Sequence, residues 1–483
     1  MPMTEKKFYL TTTLPYVNAA PHIGFALEMV QADIVARYHA LMGEEVFFNT
    51  GTDEHGLKIH RKALETGVTP QQYVDKYAAK FRELTKKLDL YPDVHFIRTT
   101  NPHHKAAAQE FWKRCFANGD IYKKDYAISY CVGCELEKTA SELVDGKCPL
   151  HPNMEIEHIQ EENYFFRWSK YQKPLLDFYA KNPDFVLPDF RFNEIRKFVE
   201  SGLEDFSISR LKEKMPWGIE VPDDPDHVLY VWFDALINYI STLGWPEDTK
   251  NLEKFWGTLE KPNGIQFAGK DQIRQQAAMW QAMLMSAGLP HTKQIVIHGF
   301  ITSGGQKMSK SLGNVVDPVA IIDEYGVDAL RYYLARHIHP FEDSDFTMEK
   351  FKAAYNADLA NGLGNLASRI MQLAQTHLEQ GTRPEVAGFP KEYTDALDSF
   401  EINKAIEFVW LQIQKLDQKI TETAPFKLIK TDPEAGKRLI TKLTQELYSI
   451  ARMLNPFMPA TSVKIKEAVV ANKKPENLFP RKD

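Results

Sequence analysis

Three groups of residues combine types and spacings that could do chemistry. The first lies in LPYVNAAPHIGFALE at 14–28, where an apolar, β-branched run gives way to a helical pattern and His22 and Gly24 stand at the change. A helix N-terminus presents unpaired backbone N–H groups and a positive dipole end, which suits a phosphate. Gly24 would let a ligand approach the backbone, and His22 can hydrogen-bond or protonate a phosphoryl oxygen. The plainer reading is a turn shaped by Pro21 and Gly24 beside a solvated histidine. The second group lies in ITSGGQKMSKSLGNVVDP at 301–318, where Lys307 and Lys310 flank serines in a Gly-rich loop after a strand. Mobile ammonium groups there can follow a polyphosphate and meet charge developing in a transition state. The third is Cys131-Val-Gly-Cys134 followed, after thirteen residues, by Cys148-Pro-Leu-His151. Two such knuckles can wrap one tetrahedral Zn²⁺ with three sulfur donors and one nitrogen. Four protein donors leave no open position, so the zinc reads as structural. A redox CxxC or isolated buried thiols are the alternatives.

These groups need elements to position them. FYLTTTL reads as a strand, and Ile23, Leu27, Val30, Ile34, Val35, Tyr38 and Leu41 recur at helical spacing before Gly43 closes the helix. EVFFNTG supplies a second strand, which makes a βαβ unit of a parallel sheet. The pattern breaks from about 117 to 225, which reads as an insertion. It resumes with HVLYVWFDALINYI, the strand IQFAGKD, a helix through MWQAMLMSAG and the strand QIVIHGF. After Phe346 the chain reads as helical to its end, apart from a loop at GTRPEVAGFP. Cys115, in KAAAQEFWKRCF, reads as a buried structural thiol.

Composition sets outer bounds. At 483 residues two to four domains are expected, and 43% hydrophobic with 26% charged residues is globular usage. The net charge of −6 conceals an asymmetry, because residues 351–483 carry 19 Lys and Arg against 16 Asp and Glu. Nucleic-acid affinity follows local basic surface, so the charge neither favours nor excludes such a partner. Four cysteines do not make a disulfide framework in a chain this long. The N-terminus lacks a signal-peptide pattern, and no apolar run approaches the ~20 residues that span a bilayer. A cytoplasmic enzyme is expected.

Together the His-Ile-Gly-Phe element and Lys307-Met-Ser-Lys-Ser resemble the HIGH and KMSKS signatures of class I aminoacyl-tRNA synthetases. GTDEHG at 51–56, DFSISR at 205–210 and YVWFDALINY at 230–239 resemble the methionine branch of that family. The resemblance spans essentially the whole chain. It implies an α/β fold: a Rossmann-type parallel-sheet catalytic domain with an inserted zinc-knuckle connective domain and a C-terminal α-helical bundle. The boundaries it implies are 1–116 and 226–290 for the two catalytic halves, 117–225 for the insertion, 291–346 for a stem-contact region carrying KMSKS, and 347–483 for the anticodon-binding helices.

The resemblance also assigns roles. Leu14, Tyr16, Trp232, Ala235 and Tyr239 match the methionine side-chain pocket, Asp53 the carboxylate holding the substrate ammonium, and Arg210 a polar group near that end. His22, Gly24, Glu28, Gly269, Asp271, Lys307 and Lys310 match ATP contacts; His22, Lys307 and Lys310 are the catalytic ones. Asn365, Arg369 and Phe426 match the anticodon readers, with Phe426 where the family has a tryptophan. Two departures stand out: Phe25 replaces the last His of HIGH, and Gln276 stands where the family usually has a His near the methionine sulfur, with Gln272 where it usually has an apolar residue. The implied activity is methionine–tRNA ligation, with ATP and Mg²⁺, L-methionine and tRNA(Met) as partners, one structural Zn²⁺, no membrane and a monomeric state. A synthetase for another apolar amino acid, an inactive tRNA-binding paralogue and a nucleotidyltransferase of related fold are the rivals.

Overall fold

Lys7–Thr11 is β1, and its last four residues are buried, as an apolar β-branched run between covered faces requires. The computed structural model describes residues 6–134, 136–138, 142–308, 314–382 and 388–482, with the backbone alone at 126–128, 136–137, 159–160 and 307. The chain divides into two compact units. One comprises Met1–Pro21, Glu44–Leu84 and Asp93–Ile297; the other comprises His22–Gly43, Thr85–Pro92 and His298–Asp483.

The first unit is built on a six-stranded sheet. Its strands are β1, β2 (Glu45–Thr52), β3 (His95–Arg98), β4 (Val186–Leu187), β5 (Gly264–Gly269) and β6 (Gln294–His298), in the order β3-β2-β1-β5-β6-β4. The pairs β1–β2, β2–β3, β1–β5 and β4–β6 are parallel. Chain order reverses between β1 and β5, and a crevice beyond the carboxyl ends of such a strand pair is where open α/β sheets take ligands. Register places Thr11 opposite both Asn49 and Gln266, and Asn49 opposite His95. Partners in register point to one face, so these four residues form a polar row across four strands. Gly51 in β2 has to be glycine, because a Cβ there would lie 1.9 Å from the Ile97 carbonyl oxygen. Aromatic side chains fill the core, with Trp280 meeting Tyr239 edge-on at 5.8 Å and stacking on Phe111 at 5.7 Å.

The 117–225 region is mainly antiparallel. Ile121–Cys131 and Glu157–Phe166 pair along ten positions, flanked by Leu136–Glu137 and Phe206–Ser207. β4 also comes from within this region yet joins the parallel sheet. The structure corrects the expectation for HVLYV: Asp224–Leu229 pairs with Ser209–Leu211 and Glu220–Val221 in a separate three-stranded antiparallel sheet. The parallel sheet resumes only at β5. Cys115 is buried as expected, and burial pushes its thiol up to about 12.

In the second unit, Ile23–Leu41 is α1, closed as predicted by Gly43 at φ +83°. Its Asp33 receives the guanidinium of Arg331 at 2.6 Å; both side chains are fully buried. The remaining Arg331 donors go to the carbonyls of Leu88, Pro456 and Phe457. This one side chain therefore ties α1, the 85–92 segment and the C-terminal region together, which is why the unit is assembled from separated stretches. Asn365–His377, Ile402–Thr423, Pro425–Thr431, Pro433–Leu454 and Pro459–Ala471 form the helical end. Residues 383–387, within the predicted GTRPEVAGFP loop, lie outside the described residues.

Candidate functional site

The loops after β1 and β2 meet at the switch in strand order. Asp53 N donates to Pro15 O at 3.0 Å and Val17 N to Asp53 O at 3.2 Å, so Tyr16 and Asp53 bridge like one more strand pair. Leu14 and Tyr16 are half-buried and Asp53 is buried. The two residues after Asp53 lock its loop. Glu54 is fully buried and accepts both forks of Arg98 at 2.7 and 2.9 Å, a bidentate charge-assisted pair. His55 Nδ1 lies 2.6 Å from Asp234 Oδ2, and His104 Nε2 lies 2.9 Å from Asp234 Oδ1. Burial raises the Asp234 carboxyl, but the charge and hydrogen bonds of His55 and His104 outweigh it and hold the group at about 2. The sequence motifs GTDEHG and YVWFDALINY contain Glu54, His55 and Asp234, but gave no sign that these residues meet Arg98 and His104 in one network.

Trp232 and Ala235 lie on the short helix Val231–Ala235 and Tyr239 on Asn238–Ser241. Helices, rather than the strand suggested by HVLYV, therefore present them. Asn49 of the polar row holds these helices, donating to Thr11 Oγ1 at 3.0 Å and to Asn238 Oδ1 at 3.1 Å, while Asn238 Nδ2 donates to Ala235 O at 2.7 Å. Tyr239 O accepts from the Tyr9 hydroxyl at 2.6 Å. Trp232 is half-buried, and its Nε1 is buried with no hydrogen-bond partner among the described residues. Arg210 lies against the Tyr230 ring at 4.5 Å and donates to Ser207 Oγ and Ser209 O at 2.7 Å each. Gln276 is buried in a wide π-helical turn, Gln275–Met279, and accepts from Gln266 Nε2 at 3.1 Å. Gly269 ends β5 and is buried, and Asp271 follows it on an exposed turn.

His22 is the N-cap of α1, with Nδ1 accepting from Gly24 N at 3.0 Å. The space above Gly24 is taken by that same imidazole: a Cβ would lie 2.8 Å from His22 Cε1. Glycine is thus needed for the cap itself, a reason the sequence did not suggest. Phe25 packs on the His22 ring at 4.4 Å between centroids, so this departure from the family pattern supports the cap. Glu28 Oε2 lies 2.8 Å from His298 Nε2, whose other ring nitrogen donates to Gly299 O. Lys310 and the side chain of Lys307 lie outside the described residues; Lys307 itself ends the strand Gln306–Lys307.

Cys131, Cys134, Cys148 and His151 come together with all four donor atoms within 4.8 Å of one another. His151 Nδ1 lies 3.8, 3.2 and 4.0 Å from the sulfurs of Cys131, Cys134 and Cys148, and the latter two sulfurs are 3.4 Å apart. Zinc bonds of roughly 2.0–2.3 Å arranged tetrahedrally require donor separations of about this size. Gly133 makes room, since a Cβ there would meet the His151 ring at 2.5 Å. The cluster could hold a metal such as zinc.

Asn365 is exposed and Arg369 half-exposed, one turn apart on Asn365–His377. Arg369 is paired with Asp417 at 2.7 Å, a partner the sequence did not reveal. Phe426, the second residue of Pro425–Thr431, is 48% exposed. A second wide helical stretch, Tyr355–Gly364, runs directly into Asn365.

A family model described as class I tRNA synthetases (M) matches residues 8–156 and 137–371. The chain is 48% identical over 389 residues to a methionine–tRNA ligase of Thermosynechococcus vestitus, covering 80% of this chain and 73% of that one. It is 41% identical over 481 residues to the Nostoc ligase of the same name, covering 95% and 89%. A structure of Mycobacterium tuberculosis methionyl-tRNA synthetase in complex with methionyl-adenylate is similar over 99% of this chain and 100% of that one, with a TM-score of 0.90 and 35% identity. The free form of the same mycobacterial enzyme gives a TM-score of 0.84 at 31% identity.

Asp234→Asn should destabilise the protein by about 3–5 kcal/mol, since an amide turns an N–H₂ group toward one of two buried imidazole donors. The carboxylate's contribution is present above its ordinary value of 3.8 and is lost as pH falls through about 2. Urea unfolding at neutral and acid pH measures both effects. An unchanged midpoint in the variant would remove Asp234 from its central role.

Proposed function

The chain belongs to the class I tRNA synthetases of the methionine type, and from that premise we propose how its residues carry out methionine–tRNA ligation. The methionine carboxylate attacks the α-phosphorus of ATP, forming a new P–O bond and expelling pyrophosphate. A terminal ribose hydroxyl of tRNA then attacks the adenylate carbonyl, taking the methionyl group and releasing AMP. The observation that carries this reading is the family match over most of the chain, together with a polar, rigidly locked loop at the switch in strand order.

Asp53 receives the substrate ammonium, and its rigid loop fixes that charge before substrate arrives, which is the kind of positioning such chemistry depends on. Leu14, Tyr16, Trp232, Ala235, Tyr239 and Gln276 surround the side chain; aromatic rings suit a polarizable thioether. His22, Gly24 and Glu28 serve ATP with Gly269 and Asp271, and Lys307 and Lys310 meet the departing pyrophosphate. Mg²⁺ accompanies ATP and offsets its phosphate charge. No nucleophilic side chain is required. One Zn²⁺ held by Cys131, Cys134, Cys148 and His151 is structural, since four protein donors close its coordination shell. Asn365, Arg369 and Phe426 read the anticodon, with Phe426 offering a stacking face to an unpaired base. The protein works in the cytoplasm as a monomer. Among the described residues no helix is long and apolar enough to cross a membrane.

Methionine-dependent exchange of labelled pyrophosphate into ATP tests the reading directly. Lys310→Ala should lower kcat by on the order of 100-fold or more with little change in the KM for methionine, because its contact is made mainly in the transition state. Normal turnover in that variant would end the catalytic assignment.

Elemental analysis should find one zinc per chain in the native protein and little in Cys148→Ser, whose knuckle should become protease-sensitive. Metal-free native protein of full activity would dismiss the zinc.

Phe426→Ala and Arg369→Ala should depress tRNA charging while pyrophosphate exchange stays near wild type. A lost stack is worth roughly 1–3 kcal/mol, or about 5- to 150-fold. Full-rate charging by both variants would move the anticodon contacts elsewhere.

A further inference from the structure

The cysteine knuckle and the loop at the switch in strand order are joined by one side chain that the proposed activity leaves unused. Lys58 stands on the helix Leu57–Glu65, two residues beyond the GTDEHG stretch that carries Asp53. Its Nζ donates to the carbonyl oxygen of Gly133 at 3.2 Å and lies 5.9 Å from the centroid of the Tyr16 ring. Gly133 sits between Cys131 and Cys134, so close to the His151 ring that a Cβ would meet it at 2.5 Å. The direction of its carbonyl is therefore set by how the four donor residues close together. An ammonium group that donates to a carbonyl keeps its charge, and the face of a tyrosine ring attracts that charge through its quadrupole. One cation thus bridges the knuckle backbone and an aromatic ring of the candidate pocket.

Apolar packing points the same way. Tyr130 and Val132, the two neighbours of Cys131, are buried in a small core with Leu57, and Tyr16 and Trp232 pack against that core. Two aromatic members of the candidate pocket therefore rest on residues that flank a knuckle cysteine. The backbone at Tyr16 is held separately, by the hydrogen bonds that Pro15 O and Val17 N make with Asp53. Those bonds fix where the Tyr16 side chain starts, but not the rotamer it takes. The rotamer is decided by what the ring lies against, and there Lys58 and the small core meet it. Arg61, on the same face one turn along the helix, also reaches the insertion, through exposed bonds to Glu157 at 2.7 and 3.2 Å. The helix is thus fastened to the insertion twice, once against Tyr16 and once at the exposed Arg61.

We propose that Lys58 is a positioning residue for methionine binding: anchored on Gly133 O, its ammonium group holds the Tyr16 ring in the rotamer that closes the pocket, and so ties the pocket's shape to the closed knuckle. This rests on the assignment of Tyr16 to the methionine pocket made above. Lys58 acts through Tyr16 and needs no contact with substrate. A ring that wanders between rotamers weakens the ground state and the transition state alike, so the loss falls on KM and leaves kcat in place. A cation–π contact at a half-buried site corresponds to about a three- to tenfold effect.

The test is pyrophosphate exchange by the full chain, alongside equilibrium methionine binding followed by tryptophan fluorescence. Lys58→Met, which keeps the apolar stem and removes the charge, should raise both the KM and the Kd for methionine by about three- to tenfold, with kcat nearly unchanged. Lys58→Arg, which puts a cation back over the ring, should recover most of that loss. Arg61→Gln should keep the wild-type KM. In a Tyr16→Leu background, Lys58→Met should weaken methionine binding no further, since both changes remove one contact. Elemental analysis should find the same metal content in Lys58→Met as in wild type. Wild-type protein without methionine-dependent exchange would overturn the functional reading and this inference with it. Active wild type with an unchanged KM in Lys58→Met would overturn this inference alone. So would an effect matched by Arg61→Gln or accompanied by loss of metal, which would mean only that the helix or the knuckle had loosened. A Lys58→Arg variant no better than Lys58→Met, or additive losses with Tyr16→Leu, would also overturn it.

Discussion

A carboxylate withdrawn from water must be met by donors on its own oxygens, because leaving one charge buried and unmatched costs several kcal/mol. Asp33, Glu54 and Asp234 are all fully buried, and meeting this requirement shapes much of both units. Each carboxylate gathers donors from separated stretches of chain. Asp33 draws Arg331, with Arg331 carrying Leu88, Pro456 and Phe457 along with it. Glu54 draws Arg98, and Asp234 draws His55 and His104. Because Glu54 and His55 are consecutive and both anchored, the backbone at Asp53 has little freedom. The Asp53 carboxylate is therefore held in place by its neighbours in the chain.

The two wide helical stretches extend this logic to backbone geometry. An extra residue per turn disturbs the regular i to i−4 ladder, and such turns recur at functional positions. One carries Gln276 and the other ends at Gly364, just before Asn365, so the irregular helices fall at a candidate pocket residue and beside a candidate anticodon reader. In each case the irregular turn is continuous with a regular helix, Trp280–Ala287 or Asn365–His377, whose packing restrains it.

The parallel strands β1, β2, β5 and β6 were legible because each is a short apolar run bounded by turn residues. The grouping of Cys131, Cys134, Cys148 and His151 was legible because knuckle spacing constrains geometry locally. What was not legible depended on partners far away in sequence. HVLYV has the composition of a parallel strand, yet it pairs with Ser209–Leu211 because that pairing lies within reach of the antiparallel meander. Gly24 suggested a close ligand approach, while the structure fills its space with His22. The pairing of Arg369 with Asp417, 48 residues along the chain, left no local trace at all. Residue type announced that these groups were polar; only the fold could say which partners they would find.

The same distinction applies to the buried side chains Gln266, Gln276, Gln281 and Thr292. A charged group among them would carry a large desolvation cost. A lone neutral amide avoids that cost but can turn over, presenting its oxygen as readily as its nitrogen. Coupling Gln276 through Gln266 and Thr292 to a backbone N–H removes this freedom, because reversing any member would set donor against donor or acceptor against acceptor along the chain. The sheet thus sets hydrogen-bond polarity at Gln276 without placing a charge there.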